Sequence, residues 1–273
     1  MSVTHETKKF GLSELRAARH TGRKVPMLTC YDYTTAGLME EAGVVALLVG
    51  DSAASVILGH SSTLPVSLDF MIEIAAAVRR GAPNCFVVAD MPFGSYQASA
   101  ATGVKNVCKM MQLSGADCVK LEVAPGHARL IRKIADAGVA VMAHVGLRPQ
   151  AVGIVGGYRF QGRNSREADD IVRQAEQMEK AGAAAILLEA VPPEVGEAVV
   201  NATSIPVIGC GAGPACHGSV VVTQDLCGLT PRQPRFVPTD ESVKEKLIEV
   251  YENYVSDVSD GRYPSPEHQY RMK

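Results

Sequence analysis

The stretch VVALLVGDS, residues 44–52, is typical of a strand that is buried on both faces and ends on polar residues. Its first six side chains are apolar, and Gly50, Asp51 and Ser52 follow them directly. A strand covered by helices on both faces is apolar throughout, whereas a half-exposed strand alternates with polar residues. The stretch therefore predicts a parallel strand in the core that carries a carboxylate and a hydroxyl to its carboxyl end.

Seven further apolar runs of this kind are spread along the chain. They are PMLTCYD (26–32), CFVVADM (85–91), CVKLEV (118–123), AVMAHVG (140–146), AAILLEA (184–190), PVIGCGAG (206–213) and SVVVTQDL (219–226). Segments of helical period lie between them, and several end at a glycine, where a helix C-cap is expected. Eight strand–helix units in about 250 residues predict an α/β protein with a (β/α)8 TIM barrel, and an open doubly wound sheet is the alternative.

The organisation of the 273-residue chain predicts one domain over residues 1–273. Hydrophobic side chains make up 47% of the chain, which is enough to build a sizeable core, and no linker-like change of composition divides it. A helical segment precedes the first apolar run. A last amphipathic helix, SVKEKLIEVYENYVSDV, and a short tail follow the last run.

Charge and cysteine usage exclude several classes of function. The 27 Lys and Arg residues balance 29 Asp and Glu residues without a basic block, so neither nucleic acid nor an anionic membrane is an expected partner. No signal-type start and no apolar run of about 18 residues is seen. The seven scattered cysteines form no C-x-x-C pair and are typical of buried thiols in a reducing compartment. We therefore expect a cytoplasmic protein that acts on a small molecule.

Polar side chains recur at the carboxyl ends of the predicted strands. They are Asp32, Asp51, Asp90, Glu122, His144, Glu189 and Asp225. Helix N-capping is the commoner role for any single one, but in a barrel all strand ends meet at one mouth, where catalytic groups lie. So many carboxylates would repel one another unless a hard cation such as Mg²⁺ neutralised them, and zinc would require a different ligand set.

Lys120 lies two residues before Glu122 in CVKLEV, so both side chains share one face of their strand. An ammonium group at this point could hold developing oxyanion charge, act as a Schiff-base nucleophile, or pair structurally with the acids. The glycine-rich IGCGAGPACHG, residues 208–218, could bind an anion, but a turn after a strand is an equally common role.

In order and spacing, these motifs resemble those of the ketopantoate hydroxymethyltransferase family. The similarity extends from about Phe10 to the EHQY near the end, and the segments that carry it include LTCYDYTTAGLMEEAG, LLVGDS, LGHSSTLPV, VVADMPFGSYQ, VKLE, HVGLRPQ, LLEAVP and GRYPSPEH. The resemblance implies a (β/α)8 barrel, usually a homo-decamer. It also implies transfer of a hydroxymethyl group from 5,10-methylenetetrahydrofolate to the 2-oxo acid 3-methyl-2-oxobutanoate, through a Mg²⁺-stabilised enolate, to give 2-dehydropantoate for pantothenate biosynthesis.

The resemblance further implies which residues bind the metal and the substrate. Asp51 and Asp90 would be metal ligands, and Glu122 would reach the metal directly or through water. Asp51, Asp90, Ser52 and Lys120 would contact the substrate, with Ser52 at its carboxylate and Lys120 at its keto oxygen. No residue is assigned to the folate.

The catalytic roles follow from the same resemblance. Glu189 would be the general base that removes the C3 proton of the 2-oxo acid, Lys120 would stabilise the enolate oxygen, and His144 would line the pocket. Burial beside the substrate would make a carboxylate such as Glu189 more basic.

Departures from the family pattern leave the substrate and the folate donor open. They lie at Ala53-Ala54-Ser55, Val123-Ala124, Ala143, Arg148, Ala190 and His217-Gly218-Ser219. The alternatives are a Schiff-base aldolase at Lys120, a related metal-dependent 2-oxo-acid aldolase or lyase with a changed substrate, and a non-catalytic paralogue. The lyase and mutase branch of such barrels typically carries a Lys-Cys-Gly-His loop, which the sequence lacks.

Arg148 is chemically the largest of these departures, because it places a permanent cation just beyond His144. One expectation is a salt bridge to a neighbouring acid or subunit. The other is a bidentate contact with an additional carboxylate, either on the glutamyl tail of a folate or on a larger substrate.

Overall fold

The protein, described by a computed structural model over residues 9–155, 157 and 159–272, contains a closed barrel of parallel strands. Each strand pairs with the next along the chain, and the last strand pairs with the first. The strands are β1 Val25–Thr29, β2 Ala46–Val49, β3 Phe86–Asp90, β4 Cys118–Glu122, β5 Val141–Gly146, β6 Ala185–Glu189, β7 Val207–Cys210 and β8 Gly218–Val221. The predicted (β/α)8 TIM barrel is confirmed.

Helices connect and cover the strands. They are α1 Leu12–Thr21, α2 Tyr33–Glu41, α3 Ala53–Val56, α4 Leu68–Gly81, α5 Ala100–Ser114, α6 Ala128–Asp136, α7 Val152–Val155, α8 Ser165–Lys180, α9 Pro193–Ala202, α10 Thr223–Leu226 and α11 Ser242–Ser259. Side-chain caps start several of them, as where Ser67 accepts a hydrogen bond from the N–H of Phe70 at 3.2 Å and begins α4. Among the described residues, no helix has both the length and the apolar content needed to cross a bilayer.

The two faces of each strand pack into two different apolar layers. In β3, Phe86 and Val88 belong to the cluster inside the barrel, together with Leu15 of α1. Val87 and Ala89 belong to the cluster between the strands and the surrounding helices. The continuous apolar runs in the sequence therefore correspond to strands buried on both faces.

The inward face changes from apolar to charged at the carboxyl ends of the strands. In β3, Asp90 follows Val88 on this face, and the pairing of the strands places Asp90 opposite Lys120 of β4. Glu122 of β4 is paired in the same way with His144 of β5. The register of the sheet thus brings side chains from distant parts of the sequence into one layer at the mouth of the barrel.

The chain divides into two compact units, one extending to Val222 and the other starting at Thr223. The first contains the barrel and α1–α9, and the second contains α10 and α11. Within the second, the N–H of Asp240 donates to the carbonyl of Leu226 at 2.7 Å. Helices lie where the N-terminal and C-terminal helices were predicted, and the assignment of residues 1–273 to a single domain stays a prediction.

Candidate active site

Three carboxylates are buried together at the mouth of the barrel. Asp51, Asp90 and Glu122 are 4%, 2% and 5% exposed. The N–H of Asp51 donates to Oδ2 of Asp90 at 2.9 Å, which ties the end of β2 to the end of β3. The chain turns sharply at Gly50, where a Cβ atom would lie 2.7 Å from Oγ of Ser52, so a glycine suits this turn. Asp51, Asp90 and Glu122 thus lie where the sequence predicted an acidic cluster.

Lys120 supplies the positive charge of this cluster. Its Nζ lies 2.9 Å from Oδ1 of Asp90 and 3.2 Å from Nδ1 of His144. Burial lowers the pKa of Lys120, but the charges of Asp90, Asp51 and Glu122 together outweigh burial and raise it. The side chain is therefore an ammonium ion at neutral pH, which suits stabilisation of an oxyanion and disfavours attack as a free amine.

The charges of the carboxyl groups are not fully balanced by Lys120. Burial raises the pKa of Asp90 to about 7 and the pKa of Glu122 to about 8. Lys120 opposes both shifts, and the charge of Asp51 adds to both. A cluster in which buried carboxyl groups hold protons near neutral pH would bind a cation that restores their ionised form.

His144 connects Lys120 to Glu189. Burial, followed by the charge of Lys120, lowers the pKa of His144, so the imidazole is neutral at pH 7. Because the Lys120 ammonium can only donate, Nδ1 of His144 is the acceptor and the ring proton lies on Nε2. Nε2 is 3.3 Å from Oε2 of Glu189, whose side chain is 20% exposed. Glu189 thus lies beside the cluster while remaining open to a bound molecule.

Ser52 lies beside Asp51 and contacts a tyrosine from the end of the first strand. Its Oγ is 2.9 Å from the hydroxyl of Tyr31, and burial raises the pKa of Tyr31 so that the phenol stays neutral. The half-buried Ser52 hydroxyl is therefore oriented by a neighbour that the sequence analysis missed. Tyr31 lies next to a strand-end acid in PMLTCYD, and that proximity was the available signal.

Gln150 is the second residue that the sequence analysis missed. Its Nε2 donates to Oδ2 of Asp51 at 2.8 Å and to the carbonyl of Met91 at 3.0 Å, and its N–H lies 3.0 and 3.1 Å from the two carboxylate oxygens of Glu122. Its Oε1 accepts from the Tyr96 hydroxyl at 2.9 Å. The two acceptors around Nε2 fix the orientation of the amide, since a flipped group would set oxygen against oxygen. Gln150 therefore links two acids of the cluster.

Two of the predicted strand-end acids form local hydrogen bonds. Asp32 is exposed, and its Oδ1 accepts from the N–H of Thr35 at 2.8 Å, which caps α2. Asp225 lies on α10, after β8 has ended, and accepts a hydrogen bond from the Thr230 hydroxyl. For Asp32, helix N-capping, the commoner role considered from the sequence, is therefore the one observed, and a place for Asp225 among the acids of the mouth stays a prediction.

Two of the sequence departures lie at opposite ends of the barrel. His217 is at the amino ends of the strands, where its Nδ1 accepts from the N–H of Val207 at 3.0 Å, so it is remote from the mouth. Arg148 is at the mouth, where its Nη1 donates to the carbonyl of Val123 at 3.0 Å. Within the described part of the chain, no acidic side chain forms an ion pair with Arg148, contrary to the intramolecular salt bridge considered from the sequence.

The residues at the mouth fit a hard divalent cation that keeps much of its own water. In the described ranges, no three His, Cys, Asp or Glu side chains are already arranged as a metal cage. Mg²⁺ does not require one, because it commonly takes one or two carboxylates and fills its other positions with water and substrate oxygens. Asp51 and Asp90 are adjacent, buried and rich in oxygen, as such a site requires.

The fold and the site define a (β/α)8-barrel enzyme with an acidic cluster and an ammonium group at the carboxyl ends of its strands. The family model for ketopantoate hydroxymethyltransferase matches residues 9–266. The chain belongs to the ketopantoate hydroxymethyltransferase family.

Individual relatives agree with this assignment. The chain is 46% identical over 256 residues to a 3-methyl-2-oxobutanoate hydroxymethyltransferase of Geobacillus kaustophilus (strain HTA426), covering 93% of this chain and 92% of the relative. It is 41% identical over 263 residues to a protein of the same name from Thermobifida fusca (strain YX), covering 96% and 94%.

Solved structures of lower identity share the fold. A phosphonopyruvate hydrolase solved with oxalate and Mg²⁺ is similar at a TM-score of 0.61 and 16% identity, covering 95% of this chain and 93% of the other. Phosphoenolpyruvate phosphomutase of Streptomyces platensis subsp. rosaceus is similar at 0.63 and 17%, covering 96% and 92%. Likeness at this level of identity concerns the barrel alone.

Proposed function

We propose that the chain transfers a hydroxymethyl group from 5,10-methylenetetrahydrofolate to 3-methyl-2-oxobutanoate, giving 2-dehydropantoate in pantothenate biosynthesis. The observation that carries this proposal is the 46% identity, over 93% of the chain, to a protein named for that activity. In the balanced reaction, C3 of the 2-oxo acid loses a proton and bonds to the methylene carbon, water supplies the hydroxyl oxygen, and tetrahydrofolate leaves.

Proton removal is assigned to Glu189. Its side chain is 20% exposed, more than Asp51, Asp90 and Glu122, and Nε2 of His144 lies 3.3 Å from its Oε2. When Glu189 takes the C3 proton, the electron pair of the C–H bond moves toward the ketone and forms an enolate. The ammonium of Lys120 would then supply the positive charge that the enolate oxygen needs.

Asp51 and Asp90 would hold Mg²⁺, with Glu122 bound directly or through water. The cation would supply Lewis-acid stabilisation of the negative charge that develops on the ketone oxygen. The shared hydrogen bond between Asp51 and Asp90, the raised pKa values of Asp90 and Glu122, and the bonds from Gln150 to Asp51 and Glu122 support this assignment.

Ser52 would bind the carboxylate of the 2-oxo acid. Its hydroxyl is oriented by Tyr31 and lies next to Asp51, so a molecule that reaches the metal through its ketone could also reach Ser52. A Schiff-base aldolase, the alternative for Lys120, is less favoured because the acids around Lys120 keep it protonated.

The first test is exchange of the C3 proton of 3-methyl-2-oxobutanoate into D₂O, followed by NMR without any folate. We expect exchange that requires Mg²⁺, Mn²⁺ or Co²⁺ and that is lost in Asp51→Ala. Asp69→Ala, which removes an exposed aspartate of α4 paired with Lys109, is the matched control and should exchange like the unaltered protein. Absence of exchange with all three cations would overturn the proposed function.

We also propose a homo-oligomer, a decamer by family resemblance, that acts in the cytoplasm. The exposed apolar side chains of α11, which include Tyr251, Tyr254 and Val255, support self-association. The free thiols of the chain support a reducing compartment. Sedimentation velocity combined with light scattering measures the stoichiometry, and a monomer at micromolar concentration would contradict the proposed assembly.

A further inference from the structure

A cavity of about 210 Å³ opens beside the acidic cluster, between the loops that follow β3, β4 and β5. Its apolar wall includes the rings of Phe93 and Tyr96 and the side chain of Ile154. Its polar lining includes Arg148 and His127. Such a combination of flat apolar walls and a few directed donors is typical of a site for an aromatic ligand with a polar end.

Arg148 presents a fixed guanidinium to this cavity. The bond from its Nη1 to the carbonyl of Val123 uses one N–H and holds the group in place. A guanidinium has five N–H donors in one plane, so a further pair can bind both oxygens of a carboxylate. Because Arg148 is only half buried, the gain from such a contact is not cancelled by a large cost of desolvation.

His127 provides a second donor on the opposite loop. Its Nδ1 accepts from the N–H of Ala124 at 2.9 Å, and burial, followed by the charge of Arg148, lowers its pKa. The neutral ring therefore carries its proton on Nε2. The ring also packs edge-on against Tyr96, with 5.8 Å between ring centroids, so its orientation is fixed by contacts on two sides.

The cavity and the acidic cluster share walls. Glu122 and Gln150 line the cavity, and Gln150 also donates to Asp51 within the cluster. The proposed reaction joins carbons from two substrates, so the second substrate must lie in contact with the site of the first. A ligand in this cavity would contact Glu122 and would therefore lie next to the proposed site of the first substrate.

We infer that this cavity binds the aminobenzoyl-glutamate part of the folate co-substrate, with Arg148 contacting a glutamate carboxylate and Phe93 and Tyr96 flanking the aromatic ring. The inference rests on the proposed function and names a subsite for its second substrate. An enlarged aliphatic 2-oxo diacid would also bring a carboxylate to Arg148, but it would leave the aromatic walls without a matching surface.

The test combines a change in the protein with a change in the ligand. Calorimetry measures Kd for tetrahydrofolate and for tetrahydropteroate, which lacks the glutamate. We expect Arg148→Thr to weaken the binding of tetrahydrofolate by about 10- to 150-fold, the span for a hydrogen bond to a charged group. The Kd for tetrahydropteroate should stay nearly unchanged. Arg173→Thr, which removes an exposed arginine of α8 paired with Asp170, is the matched control and should alter neither Kd. An equal loss for both ligands, or no loss, would overturn the inference.

A second measurement does not depend on the folding of the Arg148 variant. The chain contains no tryptophan, so Phe93→Trp places a single tryptophan in the wall of the cavity, and its fluorescence can be separated from that of the tyrosines by the excitation wavelength. Tetrahydrofolate should quench this fluorescence in a saturable way, and a lack of quenching at concentrations that saturate calorimetric binding would overturn the location of the subsite.

Proton exchange measured without folate separates this inference from the proposed function. If exchange is absent, the proposed function fails, whatever the folate measurements give. If exchange occurs and the glutamate-specific effect of Arg148→Thr is missing, the inference alone fails.

Discussion

The inside of the barrel has two layers that differ in physical character although the same strands form them. In β3, Phe86 and Val88 fill the lower layer and Asp90 belongs to the upper one. In β5, Met142 lies in the lower layer and His144 in the upper one. Two residues along a strand therefore separate a close-packed apolar filling from a buried set of ionisable groups.

The two layers contribute to stability with opposite signs. Burial of an apolar side chain stabilises the fold by about 1.5–3 kcal/mol, whereas burial of an incompletely balanced charge is costly. The raised pKa values of Asp90 and Glu122 record that cost. The lower layer therefore stabilises the barrel. The upper layer lowers the stability of the fold, and its role is to bind a ligand. Substitutions in the two layers should accordingly separate stability from chemistry.

The largest expected effect is on stability, in the lower layer. Phe86 is 1% exposed, so Phe86→Ala should lower the free energy of unfolding by about 3–5 kcal/mol through lost burial and a residual cavity. Urea unfolding followed by circular dichroism measures the loss. Phe160→Ala, at a ring that is 57% exposed, is the control and should change stability by less than about 0.5 kcal/mol. Similar losses of unfolding free energy in the two variants would contradict the stabilising role assigned to the lower layer.

The next effect is on chemistry, in the upper layer. Glu189→Gln should slow C3 proton exchange by at least the ~10²-fold typical of a positioned general base, while metal affinity stays nearly the same. NMR exchange and calorimetric titration with Mn²⁺ measure the two quantities. Glu194→Gln, at an exposed acid of α9, serves as the control. A collapse of metal affinity in Glu189→Gln would identify Glu189 as a ligand instead.

The third prediction concerns Gln150, whose hydrogen bonds connect Asp51 and Glu122 of the upper layer. Gln150→Leu removes the bonds to Asp51, Met91 and Tyr96, so metal affinity should fall by about 10- to 100-fold and unfolding free energy by about 1–3 kcal/mol. Calorimetry and urea unfolding give the two values. Gln177→Leu, an exposed amide that bonds the carbonyl of Pro125, should leave metal affinity unchanged. Unaltered metal affinity in Gln150→Leu would show that the acids hold their positions without it.

The smallest expected effect is at the amino ends of the strands. Burial, followed by the charges of Arg19 and Lys24, lowers the pKa of His217 below its unfolded value of about 6.5. The folded state then binds fewer protons than the unfolded state, so this contribution to stability is complete above pH 6.5 and is lost as the pH falls.

His217→Asn isolates that contribution. The Oδ1 of asparagine can replace Nδ1 as acceptor for the N–H of Val207, and asparagine does not titrate. Unfolding free energies measured at pH 7, 6 and 5 should therefore fall less steeply in the variant. An unchanged slope would assign the pH dependence to other groups, such as His127 and His144, whose pKa values are also lowered.

The sequence predicted the barrel well because burial on both faces is visible within a single strand. The apolar run 44–49 required no knowledge of distant residues, and the strand formed as expected. The last run was predicted to continue to residue 226, but β8 ends at Val221 and α10 begins at Thr223. A run rich in β-branched residues does not by itself mark where pairing with a neighbouring strand stops.

The site was predicted only in part, because strand ends are visible in sequence and contacts between loops are not. Asp51, Asp90 and Glu122 follow apolar runs and were found for that reason. Gln150 is 99 residues from Asp51 in sequence, and its role depends on which loops meet at the mouth. The cavity beside Arg148 likewise combines three loops and had no local signature.

The pairing of β8 with β1 has a consequence for synthesis of the chain. The register joins Val25 to Gly218 and Leu28 to Val221, so the ring cannot close until nearly the whole barrel sequence has left the ribosome. Until then, the first strand and the most recent one each present an unpaired edge that can recruit another chain. Contacts of such long sequence separation also slow folding. We therefore expect nascent chains that end before Gly218 to associate with other chains more readily than the closed barrel does.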